Sequence, residues 1–279
     1  MNFVYGIISL SAPLLLASTG ALISEWSGGM ALFLDGTINL AAFLCLAGTA
    51  LSKNFIGGIA LSLTFCTAFI LLFALAAEKF RANRFLAAIA LNLICSALTS
   101  ILSSVFFKTR GIITHPDFYF SAVKTRLVTT ASAYLMFLLG WAAMKFTRQG
   151  LYIRISGSDA PVLRARGINV SYVRLWAWAA AAVFGSAAGC ILSMRLSSFV
   201  PNISSGTGWT ALAAVFLGKK NTYAILAAVL IFAAAQYVAN NLQNFSVFGS
   251  VPAAFLLALP YISALVMIVF APKKTLKAN

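Results

Sequence analysis

The chain alternates long apolar stretches with short polar or charged links. Apolar runs at 3–23, 30–50, 55–77, 85–106, 127–147, 175–194, 222–239 and 253–270 are each long enough to cross about 30 Å of hydrocarbon as a helix. A further run, 207–217, is too short to do so. It reads as a half-helix lengthened by Ser204 to Thr207 or as a re-entrant element, and either form must be shielded by protein. The pattern predicts an all-α, polytopic transmembrane helical bundle of about 8–10 spans including the one short or re-entrant element. One transmembrane domain, 1–279, accounts for the chain. No basic region precedes the first run, which therefore reads as a retained span and not as a cleaved signal.

Composition agrees with this pattern. The chain is 61% hydrophobic and 9% charged, with a mean hydropathy of +0.95, whereas soluble domains carry about 25% charged residues. The bilayer must be the solvent. A net charge of +15 is a signature shared with nucleic-acid binders, but here the cations flank the apolar runs, where they set topology and meet anionic lipid head groups. Membrane lipids are therefore expected partners and nucleic acid is not. Cys45, Cys66, Cys95 and Cys190 lie inside apolar runs without paired spacing or neighbouring histidines, which favours small packing residues over disulfides or metal ligands.

Basic residues orient the chain. Placing 149–173 inside also places Lys79 to Arg84, Lys219, Lys220 and the tail at 271–279 inside, so that the C-terminus is cytoplasmic. Of the 20 Lys and Arg residues, Lys53, Lys108, Arg110, Lys124, Arg126 and Arg195 are left outside. Four of these crowd the link between the fourth and fifth spans, an exception to the positive-inside rule. Nine crossings would put the N-terminus outside.

The segment 148–174 is the longest polar stretch. Ser158 or Asp159 can cap a helix, Pro161 suits its first turn, and Gly167 suits the left-handed position that ends one. A surface helix over Ala160 to Arg166 follows, showing Val162 and Leu163 beside Arg164 and Arg166. Such a surface suits docking into a partner's groove. A solvated connector with one incidental helical turn has the same composition.

Gly157, Arg164, Gly167, Ile168 and Asn169 stand where this loop resembles the coupling segment of ATP-binding cassette (ABC) importer permeases of the branched-chain amino acid, simple-sugar and nucleoside group. The family follows that segment with a span, a glycine-rich exterior turn, a short alanine-rich helix and another span, as in Gly206 to Asn221 here. Leu22 to Gly36, with Glu25 and Asp35, resembles its first interior turn and the entry to its second span. The chain departs from the family in the coupling helix, where an acid and small residues are usual and Pro161, Val162 and Leu163 stand here. The resemblance implies that Gly157 and Asp159 to Arg164, together with Arg166, Gly167, Ile168 and Asn169, meet an ATPase. It implies an ABC ATPase subunit, a second permease subunit (a different, longer one) and an extracytoplasmic substrate-binding protein or lipoprotein as partners. It also implies a bacterial inner (plasma) membrane location. The compact form and the GINV-type loop are most similar to the nucleoside and riboflavin branch, so a nucleoside, a riboflavin-like vitamin or a simple sugar is the expected solute.

No phosphate loop is present: Gly218-Lys219-Lys220 lacks both the first glycine and the terminal hydroxyl of that motif. ATP and Mg are thus expected on the partner ATPase and no cofactor on this chain. A pathway needs polar groups facing the bundle centre, and Asn92, Ser96, Thr99, Ser100 and Ser103 are spaced for one helical face. The same residue types also form ordinary helix-packing seams. Asn39 and Gln236 are isolated polar residues in apolar runs, and Trp209 is the tryptophan suited to stacking on a flat solute. The other tryptophans suit an interfacial belt. Glu25, Asp35 and Arg195 read as span-end residues, and His115, beside Pro116 and Asp117, as part of a solvated turn. Neither a catalytic nor a metal-ligating constellation is expected. A proton- or sodium-coupled carrier would need acids within its spans, and a membrane enzyme would need clustered polar groups on an interior loop.

Overall fold

A computed structural model of the chain describes residues 3–242. Among these residues are the helices α1 (Phe3–Trp26), α2 (Leu34–Ser52), α3 (Phe55–Lys79), α4 (Arg84–Phe107), α5 (Ala122–Phe146), α6 (Arg148–Ser158), α7 (Ala160–Ala165), α8 (Val170–Leu196), α9 (Thr207–Leu217) and α10 (Thr222–Leu242). Seven of them, all but α6, α7 and α9, are long and apolar enough to cross a membrane. The all-α polytopic bundle expected from the sequence is the fold observed. The predicted span at 253–270 and the tail at 271–279 lie outside the described residues.

The bundle is built around α1, α2 and α8, which are buried along most of their length. All three are mostly apolar or small all round, as a helix with little solvent side must be, with Asp35 and Asn39 of α2 and Arg174 and Arg195 of α8 among the exceptions. The surrounding helices bury a single stripe each. On α3 the stripe is Gly58, Ser62, Cys66, Ile70, Ala74 and Ala77, while large apolar residues such as Phe65, Leu72 and Leu75 point outward. Small residues at the seam allow close backbone approach, and large ones face lipid, because burial against lipid brings no hydrophobic gain over burial in protein. The four cysteines are free and buried in these seams. Ser62 donates to the Ala41 carbonyl at 2.9 Å and ties α3 to α2.

Asparagines set several helix starts. Asn54 accepts from the Ile56 N–H, Asn83 from Phe85 and Asn169 from Ser171, at 3.0, 2.9 and 3.0 Å, each satisfying one of the donors a helix N-terminus leaves open. Two ends of the bundle follow from the contacts. At one end the α1–α2 link meets α6 and α8, and Glu78 pairs with Arg84 at 2.7 Å. At the other, Ile113 and Phe199 exchange backbone hydrogen bonds and Phe55 lies edge-on to Phe120. Lys53, Lys108 and Arg195 belong to this second end, opposite the α6–α7 loop, as the charge pattern predicts.

The structure departs from the expected elements in three places. The second span begins at Leu34 instead of residue 30, because Gly28 takes a left-handed φ of +84° and 27–33 runs as turns. The polar loop contains a second helix, α6, and α8 begins at Val170 under the Asn169 cap instead of near 175. Finally, α9 starts at Thr207, so Ser204 to Gly206 do not lengthen it.

The close packing of α2 on α8 gives a direct test. A side chain at Gly189 would meet the Ile38 carbonyl, the Ala41 β-carbon and the Ala42 backbone nitrogen. Gly189→Val should lower the stability of the purified protein by about 1–3 kcal/mol through overpacking, read as a lower thermal midpoint in detergent, while Gly111→Ala, at an exposed link, should leave it unchanged.

Candidate functional site

The segment 148–169 forms a ledge at one end of the bundle. Pro161 lies in the first turn of α7, and Asp159 occupies the cap position without a side-chain cap bond. Gly167 ends the helix with φ +74°, as its sequence position predicts, and the Gly167 and Ile168 N–H groups close on the Arg164 and Leu163 carbonyls at 2.9 and 3.0 Å. Pro161, Val162, Arg164, Arg166 and Gly167 are exposed. Leu163, expected beside Val162 on the open surface, is instead fully buried. It is the anchor that lets so short a helix hold one orientation, since an isolated two-turn helix has no stability of its own.

This ledge is fastened to the bundle at Gly157. Its α-carbon lies so close to Trp26 and Gly28 that a side chain would strike the Trp26 carbonyl. Arg174 then spans the joint: its Nε donates to the Ser27 carbonyl at 3.2 Å and its Nη2 to the Ser156 carbonyl at 3.3 Å. Ser156 also donates to Ser27 O, and Ser171 donates to Glu78 Oε2 at 2.8 Å. The end of α6, the α1–α2 link and the start of α8 therefore share one polar knot, next to which Phe33 packs on Trp178 with ring centroids 4.9 Å apart.

Beyond Phe33 lies a junction of helix ends. Leu34 and Thr37 pack on Gly185, which sits roughly 16 Å from the far end of α8 and roughly 22 Å from its start. The N-terminus of α2 is therefore inside the bundle. The N-terminus of α9 meets it there, because after Phe199 the chain runs back along α2. Asn39 donates to Ser204 Oγ at 2.9 Å and accepts from the Ser204 N–H at 3.2 Å, and one turn on Asp35 accepts from the Gly208 N–H at 3.1 Å. Gly206 makes the sharp entry with φ +79°, and a side chain at Gly208 would collide with the Asp35 backbone. Lys220, past the other end of α9, pairs with Glu25 at 3.2 Å. The segment from Ser197 to Leu217 thus passes from one end of the bundle to the other: its first half is irregular and its second half is α9. The glycine-rich turn expected at the exterior lies within the bundle instead.

Neither helix start supplies its own side-chain cap. Both borrow one. Asn92 of α4 accepts from the Gly36 N–H of α2, and Asp35 of α2 accepts from Gly208 of α9. Two helix N-termini thus converge on one acid, Asp35, whose Oδ1 accepts from the Gly208 N–H.

The expected pathway residues are not gathered into one site. Asn39 and Asn92 belong to this junction. Ser96 and Ser100 lie on the exposed side of α4, whereas Thr99 and Ser103 of the same stripe are buried and bond to their own helix backbone. Trp209 is half exposed on α9. Gln236 lines a cavity of about 600 Å³ between α1, α8 and α10. Trp178 is a core residue and not part of an interfacial belt. Asp35, Ser204, Gly208 and Arg174 were not singled out by the sequence pattern as site residues. One signal was available for Asp35: it stands one helical turn before Asn39, so the two share a face.

Replacing Asp35 isolates the junction. Asp35→Ala leaves the Gly208 N–H without its acceptor and should cost about 1–3 kcal/mol, the penalty for a buried unsatisfied donor. Asp35→Asn, which keeps an acceptor oxygen, should recover most of that loss in thermal denaturation.

The overall fold is shared with a known structure, and the sequence with known permeases. The chain resembles PsaBC from Streptococcus pneumoniae with a TM-score of 0.60, over 99% of this chain and 94% of that one, at 15% identity. A guanosine ABC transporter permease of Bacillus subtilis is 27% identical over 90% of this chain and 86% of its own length. A nucleoside ABC transporter permease of Lactococcus lactis is 26% identical over 95% and 90%. The ribose import permease of Escherichia coli is 22% identical over 78% and 69%. The family model described as "branched-chain amino acid transport system / permease component" matches residues 3–271. The chain belongs to that family, and is a multi-pass inner-membrane permease subunit of an ABC importer.

Proposed function

We propose that this subunit carries a nucleoside-type solute inward by alternating access, driven by a separate ATPase seated on α7. The observation that carries this reading is the ledge: an exposed helix, held by one buried leucine and fastened through Gly157 and Arg174 to the link that starts α2. A load on α7 is transmitted to the α1–α2 link because the backbones at Gly157 and Gly28 are in contact and the Arg174 guanidinium bridges them. The next elements in line are the junction of α2 and α9. Two packings of such a junction would serve as the two-state element that ATP binding on a partner biases.

In this reading ATP and Mg are held by the partner ATPase, with Val162, Arg164 and Arg166 forming the contact. The pathway is completed by a second, longer permease subunit, and an extracytoplasmic binding protein or lipoprotein delivers the solute. The exposed serines of α4 suit a surface shared with that second subunit. The C-terminus lies in the cytoplasm with the α6–α7 ledge. Nucleosides are favoured over sugars because the relatives named for them align over more of this chain.

Reconstitution tests the proposal. Co-expression with its ATPase and second permease should give ATP-dependent nucleoside uptake, and this chain alone should give none. A β-carbon at Gly167 would meet no atom within 4 Å, so Gly167→Ala perturbs only the left-handed turn, at a cost of roughly 1–2 kcal/mol. That variant, and Arg164→Glu with Arg166→Glu, should insert normally yet lose uptake and co-purification with the ATPase. Undiminished co-purification would remove α7 from the contact.

A further inference from the structure

A second feature of the bundle is not used by the coupling reading and stands independently of the solute carried. The cavity of about 600 Å³ lies toward the end opposite the α6–α7 ledge, and its polar lining includes Arg126, Arg195, Thr207, Thr210, Gln236 and Asn240. The chain has five acids. Glu25 pairs with Lys220, Asp35 caps α9, Glu78 pairs with Arg84, Asp117 faces His115, and Asp159 lies on the ledge. None of the five forms an ion pair with Arg126 or Arg195 among the described residues. Two guanidinium groups therefore share one cavity, close enough for their charges to act on each other, without a carboxylate.

The hydrogen bonds sharpen the point. Arg195 donates from Nε to Thr129 Oγ1 at 3.0 Å, from Nη1 to the Ser9 carbonyl at 2.6 Å and from Nη2 to Thr130 Oγ1 at 2.9 Å. A guanidinium has five N–H donors, so two remain without a protein acceptor among the described residues. These three bonds also fix the plane of the group, leaving one free donor on each Nη nitrogen. The Arg126 side chain has no acceptor among the described residues. It stands near the start of α5, with Lys124 and no acid in the first turn, where the helix dipole favours a negative charge and disfavours these cations.

Arg195 is partly buried while Arg126 is exposed at the cavity's edge, and a partly buried guanidinium is costly unless its charge is met. Its planar fork matches an oxyanion, to which Arg bonds through two parallel N–H donors. We infer that this cavity binds a phosphate-type oxyanion between Arg126 and Arg195. The volume falls within the ~300–1,000 Å³ typical of sites that hold small molecules. Much of the remaining lining is apolar, including Leu10, Leu14 and Phe232, which would accept the glycerol and upper acyl carbons of an anionic phospholipid. A free phosphate group would use the same two arginines. The inference also gives a role to two of the basic residues left on the side where a membrane protein normally carries few, Arg126 and Arg195, both of which line the cavity.

The test uses the purified full chain in mild detergent. Native mass spectrometry after incubation with phosphatidylglycerol or phosphatidylcholine measures lipid binding, and thermal stability in rising inorganic phosphate measures the free anion. Arg126→Gln loses no hydrogen bond or ion pair to the described residues. It should weaken binding about tenfold, the loss of one charge-assisted bond, as should Arg195→Lys, which keeps the charge and loses the fork. Lys53→Gln, on a link that does not line the cavity, should match wild type. Retention of phosphatidylglycerol over phosphatidylcholine, lost in the Arg126 variant, identifies a lipid headgroup. Stabilisation by phosphate alone, lost in the same variant, identifies a soluble oxyanion. Equal behaviour of wild type and Arg126→Gln in both assays overturns the inference.

Discussion

An unpaired backbone N–H inside a membrane protein has no water to turn to. That constraint governs this structure wherever a helix begins inside the bundle. Both α2 and α9 do so, and neither has a capping side chain of its own. The missing acceptors come from neighbouring helices: Asn92 serves α2, and Asp35 on α2 in turn serves α9. Asn39 holds the irregular chain that leads into α9. The three side chains form a short series running from α4 through α2 to α9. Removing one member leaves a helix-end donor without the acceptor it has here. The close approach of Gly208 to Asp35 is part of the same solution, since any side chain there would push the helix end away from its cap.

The position of this junction gives it functional weight. A continuous run of contacts leads to it from the exposed ledge: Leu163 under α7, Gly157 against Gly28, Arg174 across Ser27 and Ser156, then Phe33 on Trp178. Contiguity supplies a mechanical route and not a coupling energy; coupling is established only when both sites bias the same two-state element. The parts are suited to it. The ledge is rigid where it meets the bundle and exposed where a partner would meet it. The junction is held by a few directional bonds instead of a broad apolar interface, so a small displacement exchanges discrete contacts.

Much of this fold could be read from the sequence because membrane spans announce themselves by length and apolarity. The bounds of α3, α4 and α10 fall within a few residues of the apolar runs. The short helix α7 was legible too, since Pro161 and Gly167 mark its ends by backbone restrictions that act locally. The burial of Leu163 was not, because which face of a two-turn helix is covered depends on α6 and α8. The junction was hidden for a similar reason. Asp35 and Asn39 look like a span-end acid and an isolated polar residue until the chain after Phe199 is laid beside them, and no local pattern encodes a contact across about 170 residues of sequence. Likewise, Ser96 and Thr99 share a helical stripe in sequence, yet one is exposed and the other buried, because the stripe straddles the edge of the α2–α4 seam.

The claim that the helix ends inside the bundle are sealed by borrowed caps is tested most directly by hydrogen exchange of the backbone amides at Gly36 and Gly208 in the intact protein. Exchange as slow as that of the buried middle of α8 is predicted for both. Exchange as fast as that of the exposed residues around Gly167 would contradict it, showing that the two helix ends are open to water and that Asn92 and Asp35 do not hold them.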